Sequence, residues 1–179
     1  MATFFEKMRG GGQSPPTVSL TEVAWSWLGS VLGIALVGLL HYRLLDPQGL
    51  SLLLGSFGAS AVLLYGAVRS PLAQPRNLLG GHTLSALVGV TMQMLCGGEP
   101  IFAAALAVAT AIAVMHLTKT LHPPGGATAL IAIIGGPAIH RLGYLYVLAP
   151  VALGALVMLL VALLVNNLAP KRRYPEFWW

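Results

Sequence analysis

VAWSWLGSVLGIALVGLL, residues 23–40, contains no charged side chain and only two hydroxyls. At about 1.5 Å of rise per residue, a helix over this stretch covers most of a hydrocarbon layer roughly 30 Å thick. Its flanks fit that reading: Trp25 and Trp27 stand at one end and Tyr42 at the other, where amphipathic rings favour the lipid interface. Gly29 and Gly33 are four apart and offer a neighbouring helix a close approach.

The remainder of the chain repeats the pattern. Only 8% of the 179 residues are charged, 56% are hydrophobic and the mean hydropathy is +0.80, whereas a soluble domain carries roughly 25% charge. Such a chain cannot build the polar shell of a soluble globule, and an all-α membrane bundle of 4–6 transmembrane segments is the expected fold class. The net charge of +5 and pI near 9.8 do not point to nucleic acid, because the basic residues are scattered between apolar segments. Cys96 stands alone, which rules out an internal disulfide.

Outward from the first span, residues 1–22 read as a short cytoplasmic leader, 23–168 as the transmembrane domain and 169–179 as a basic, aromatic cytoplasmic tail. Residues 49–68 form a second span, rich in small and hydroxylated residues around Ser56 and Ser60. Residues 69–79, with Arg69, Pro71, Pro75 and Arg76, read as a polar loop, and a third segment opens at Gly80-Gly81-His82-Thr83. Residues 101–117 make a fourth. The apolar piece 127–134 is too short to span and has the length of a broken or re-entrant helix, and 142–168 gives a final span. Lys7, Arg9, Arg69, Arg76, Lys119 and Lys171–Arg173 then fall on one side, with the Arg43/Asp46 pair and Glu99 opposite. By the positive-inside rule, both termini are cytoplasmic.

An internal echo places Gly80-Gly81-His82-Thr83 over Gly125-Gly126-Ala127-Thr128, each after a proline-containing loop. Transporters often bind solute where two broken elements meet, although chance in a Gly/Ala/Leu-rich chain produces short matches too. Helices starting near Gly80 and Gly125 would offer unpaired N–H groups and the positive end of a macrodipole to an anion. Thr83 and Thr128 would add hydroxyls, while Arg76, Lys119 and His122 stand just upstream. All five acids, Glu6, Glu22, Asp46, Glu99 and Glu176, lie in termini or loops. Cation carriers commonly keep a carboxylate at membrane depth, so its absence favours an anionic or neutral solute. His82, His116 and His122 are candidate proton carriers, although a histidine near a helix end is more often an interfacial hydrogen-bonder.

The stretch TKTLHPPGGATAL, residues 118–130, resembles the signature of the HPP family of integral membrane proteins, with His122, Pro123 and Pro124 as its motif. GSFGAS at 55–60 and PLAQPRN at 71–77 with Gly80-Gly81-His82 resemble other recurrent stretches of that family, so the likeness runs from about Trp25 to Val165. The resemblance implies a compact domain usually described as four transmembrane helices, against six apolar segments counted here. It also implies association with nitrite transport, as for plastid and cyanobacterial members.

The expected function is a permease or channel for a small inorganic anion, nitrite first, and not an enzyme. Its site would comprise Ser56, Ser60, Arg76, Gly80, Gly81, His82, Thr83, Lys119, His122, Gly125, Gly126 and Thr128. The alternatives are a non-transporting assembly or sensor subunit and, with least support, an intramembrane lipid enzyme using His122, for which neither a carboxylate nor a nucleophile motif is at hand. No cofactor, metal or nucleic acid is called for. The expected partners are the bilayer, the anion and a further copy of the chain in a homo-oligomer, and the expected location is a bacterial plasma membrane.

Overall fold

The computed structural model describes residues 4–9, 12–42 and 47–179. The Arg43/Asp46 pair lies outside the described residues. Helix α1 (Phe4–Met8) is exposed, and α2 (Leu20–His41) is the first long apolar helix. Ser19 caps α2 by accepting from the Glu22 amide. Helix α3 (Pro47–Ala61) widens into a π-helical turn over Val62–Gly66. After a short helical turn at Pro71–Ala73 come α4 (Pro75–Cys96), α5 (Pro100–Leu117), α6 (Pro123–Ile134) and α7 (Gly136–Leu142). A kinked π turn over Val147–Ala152, with Ala149 out of helical conformation next to Pro150, leads into α8 (Leu153–Leu168). The described residues contain no strand.

Four of these segments are long and apolar enough to cross a membrane: Leu20–His41, Pro75–Cys96, Pro100–Leu117 and Val147–Leu168. Leu53–Gly66 and α6 are shorter apolar helices. The four spans implied by the family resemblance and the six apolar segments therefore coexist.

The polar loop expected over 69–79 ends at residue 74. Pro75 occupies the first helical position, where its missing N–H costs nothing and its φ is already helical. The polar residues that follow can sit in that turn because they reach sideways: Arg76 Nη2 donates to the Thr118 carbonyl at 2.7 Å and Asn77 Nδ2 to that of Leu121 at 2.8 Å. Gly80 and Gly81 consequently lie in the second turn of α4, not at its start.

Small residues set the helix spacing. Between α4 and α6, a Cβ on Gly89 would stand 2.6 Å from the Ala129 carbonyl oxygen, so the backbones touch. Ala103, Ala107 and Ala111 of α5 pack with Ala129 and Ile133 of α6 in a separate apolar cluster. The Gly29/Gly33 face, expected to take the close approach of a neighbouring helix, is filled by the Tyr65 ring from the turn after α3. Tyr65 donates to the Met158 carbonyl at 3.2 Å.

The tail folds back onto the domain instead of floating at the interface. Arg172 donates to the Glu22 carboxylate at 2.8 Å, the Tyr65 carbonyl at 3.2 Å and the Asn166 side-chain oxygen at 3.0 Å. Tyr174 is buried and donates to the Ala73 carbonyl at 2.8 Å. Burial, reinforced by the neighbouring Tyr65 phenol, pushes the Tyr174 hydroxyl above the ordinary tyrosine range. These contacts gather the start of α2, the 67–74 and 118–122 loops and the tail at one end of the bundle, the basic end.

Candidate functional site

Where α3, α4 and α6 meet, the apolar core gives way to side chains that hydrogen-bond one another. Ser56, Ser60, His82, His122 and Thr128 are all buried. Ser60 Oγ lies 2.8 Å from His82 Nε2 and 2.9 Å from His122 Nε2, and His82 Nδ1 lies 2.8 Å from Thr128 Oγ1. Ser56 Oγ is 2.7 Å from Thr128 Oγ1 and 3.0 Å from the Pro124 carbonyl. The far ring nitrogen of His122, Nδ1, lies 2.8 Å from the Leu72 carbonyl.

One of these contacts fixes the direction of the rest. A carbonyl can only accept, so His122 Nδ1 carries the proton toward Leu72, and in a neutral ring Nε2 must then accept. Ser60 has a single hydroxyl proton and gives it to that nitrogen. Its other contact must therefore be a bond it accepts, from His82 Nε2–H. His82 Nδ1 in turn accepts from Thr128, whose oxygen is free to accept from Ser56. The result is a one-way chain, Thr128→His82→Ser60→His122→Leu72 carbonyl, directed toward the basic end, while the single Ser56 proton is shared between Thr128 Oγ1 and the Pro124 carbonyl. In surroundings of low dielectric, such chains polarise cooperatively.

The local sequence explains why these groups can meet. Gly81 has no side chain where the Cβ of His122 passes, and a Cβ on Gly125 would stand 2.7 Å from Ser85 Oγ and 2.8 Å from the Gly81 carbonyl oxygen. The two glycine motifs of the internal echo thus face each other across the α4–α6 crossing. Gly80, Gly81 and Gly125 leave room for Thr120, His122 and Ser85 to approach, whereas Gly126 is not tightly packed. The start of α6 has few donors to offer: Pro123 and Pro124 have no N–H, and the Gly125 amide bonds the His122 carbonyl at 2.8 Å.

The other expected site residues lie apart from the cluster. Arg76, Gly80 and Thr83 line a groove of about 550 Å³ at the basic end, together with Thr118, Thr120 and the Trp178 and Trp179 side chains. Thr83 Oγ1 donates back to the Leu79 carbonyl at 2.7 Å. Lys119 is exposed and sits at φ 57° in the α5–α6 turn, while Gly126 faces Val108 of α5. A second cleft, of about 430 Å³, is lined by Glu22, Arg69, Ser70, Lys171, Arg172 and Arg173. His116 is exposed and has no part in the cluster.

Two buried groups were not anticipated from the sequence. His41, at the end of α2 away from the basic end, is fully enclosed and neither ring nitrogen makes a hydrogen bond among the described residues. The Pro150 carbonyl is close enough to act on the ring electrostatically but lies outside hydrogen-bond geometry. Ser85 Oγ, one turn beyond His82, is likewise enclosed and unpartnered. His41 stacks on Phe57 at 6.2 Å between ring centroids, Phe57 on His82 at 5.0 Å, and His82 lies 5.0 Å from His122. Position in a terminal Leu-Leu-His-Tyr run gave no sign of burial; only the folding of α3 and α8 over it did. Among the described residues no group of three or more His, Cys, Asp or Glu side chains is placed to hold a metal ion.

Similar proteins agree with the membrane reading and stop there. Two Dictyostelium discoideum proteins, each named only as a transmembrane protein, are 51% and 48% identical to this chain over 98% of its length. The chain spans 57% and 63% of their respective lengths. Both come from a eukaryote and give no support to the expected bacterial plasma membrane. No solved structure matches the chain. Residues 15–175 match the family described as HPP, transmembrane region. With that match covering most of the chain, and with the His122-Pro123-Pro124 triplet at the heart of its buried network, this multi-pass integral membrane protein belongs to the HPP transmembrane family.

Proposed function

We propose that the protein is a permease for a small monovalent anion, with nitrite the first solute to test, and that the solute passes through the hydroxyl and imidazole cluster of α3, α4 and α6. The observation that carries this reading is Ser60, held between two buried histidines with no carboxylate among the described residues bonded to any of the three. Ionisable side chains inside a membrane domain are expensive to keep and mark solute or proton pathways by default. A purely structural crossing would be cheaper with alanines, as the α5–α6 contact of the same protein is.

Anion selectivity follows from the donor set. Serine and threonine hydroxyls and imidazole N–H groups can replace part of the water shell of a planar anion, and no acid among the described residues is buried to repel it. In the closed arrangement those donors satisfy one another, so an entering ion would exchange the bonds at Ser60 and Thr128 for bonds to itself. The two basic clefts would raise the local anion concentration at one end of the path. This assigns the binding role to side chains, where the sequence suggested helix amides at Gly80 and Gly125. Transport, and not catalysis, is the chemistry favoured here, because among the described residues no carboxylate hydrogen-bonds either histidine to complete a Ser–His–acid arrangement around Ser60.

The test is flux. Purified protein in liposomes, offered nitrite, nitrate, formate, chloride and bicarbonate with and without a pH gradient, should admit nitrite faster than protein-free vesicles do. Failure of every anion in the panel, with the protein folded, would remove the reading.

A further inference from the structure

We infer that the protein carries a proton along the buried column His41–Phe57–His82–Ser60–His122, with His41 as the acceptor at the end away from the basic loops and Phe57 as the gate between two halves. The solute half of this inference rests on the permease reading; the proton half stands on the geometry alone.

The inner half is the directed chain. A proton arriving at Thr128 or His82 Nδ1 lets His82 release the one on Nε2 to Ser60, which passes its own to His122 Nε2, and His122 then releases the proton on Nδ1 at Leu72. Each side chain gains one bond to hydrogen and gives one up, the histidines at opposite ring nitrogens, so no co-reactant is needed. The chain then has to turn over before a second passage. Leu72 belongs to the short helical turn at the basic end, which gives the proton a way out.

The outer half is His41. Among the described residues both of its nitrogens are enclosed without a partner in hydrogen-bond geometry, a state that a purely structural histidine does not tolerate cheaply. What faces it is the Phe57 ring from α3, the backbone of Gly154 from α8 and the Pro150 carbonyl. Among the described residues, neither a carboxylate nor a cation hydrogen-bonds to His41, His82 or His122; the titratable rings around the last two are each other, 5.0 Å apart, and Tyr146, which donates to the Thr128 carbonyl. Phe57 touches both His41 and His82 and offers no site for a proton, so the two halves are insulated while it stays in place. An anion that displaces the bonds of Ser60 also disturbs the ring packed on His82, which would couple its entry to opening of the gate.

The test uses reconstituted full-length protein with a pH-sensitive dye inside the vesicles and an inside-negative potassium diffusion potential. Phe57→Ala should admit protons without any anion, roughly tenfold faster than wild type, and adding His82→Gln should return that rate to the level of empty vesicles. Phe57→Leu, which keeps more of the packing, provides the same readout with a smaller increase if the alanine variant does not fold. His41→Gln should keep nitrite entry while removing its stimulation by an acidic exterior. A folded Phe57 variant that stays proton-tight, or a His41→Gln protein that keeps its acid stimulation, would overturn the relay. If wild type moves no nitrite yet Phe57→Ala leaks through His82, the permease reading falls and the relay survives; nitrite entry without proton movement, in a protein whose Phe57 variants stay tight, gives the reverse.

Discussion

Helix α6 packs on two neighbours in two different ways. Toward α5 it presents Ala129 and Ile133 to Ala103, Ala107 and Ala111, an apolar contact of small side chains. Toward α3 and α4 it presents Thr128 and the preceding His122, and there the buried polar side chains hydrogen-bond one another, Ser85 Oγ excepted. Both contacts bury their residues fully, so burial alone does not separate them. The difference lies in the chemistry retained. The first crossing only has to be close, whereas the second keeps exchangeable protons at membrane depth, where every one of them needs a partner.

The largest expected effect tests closeness itself. Gly89→Leu places a side chain against the Ala129 backbone, which cannot move aside, and should cost about 3 kcal/mol or more, read as loss of the folded peak in detergent. Arg172→Ala comes next. It leaves Glu22 and Asn166 without their donor and frees the tail from α2, at about 2 to 3 kcal/mol in a denaturation series. Ser60→Ala strands two histidine nitrogens and should cost about 1 to 2 kcal/mol, since hydrogen bonds within membranes are individually modest. Across the alanine contact, Ala111→Gly should cost only about 1 kcal/mol and leave transport intact. If Ser60→Ala proved as innocuous as Ala111→Gly in both stability and flux, the distinction between the two crossings would collapse. Smallest in stability is Lys119→Ala, within about 0.5 kcal/mol because the residue is exposed. It should slow uptake at low salt and do so less at high salt, as screening of a surface charge requires.

The sequence made the membrane class and most segment limits legible, because uncharged runs of bilayer length admit few other readings. It also singled out Ser56, Ser60, His82, His122 and Thr128, all of which converge. The reason given for the glycines was different from the one the fold uses. Gly80 and Gly81 looked like a helix start, yet Pro75 takes the first position of α4 and they lie in its second turn, whereas Gly125 does lie in the first turn of α6 and packs there against Gly81 and Ser85. His41 was not legible at all. A histidine next to Tyr42 at the end of a span reads as interfacial, and its enclosure depends on Phe57, Pro150 and Gly154, which are distant in sequence. The clamp of Arg172 on Glu22 was hidden for the same reason, since the two are 150 positions apart.

Ser60 and its two histidines are the proposed solute path. Nitrite uptake into liposomes, normalised to folded protein, by wild type, Ala111→Gly and Ser60→Ala tests it most directly. The account predicts equal rates for the first two and about a tenfold lower rate for the third, the loss expected when a site gives up about 1.4 kcal/mol of bonding to the solute. Uptake by folded Ser60→Ala at the wild-type rate would contradict it.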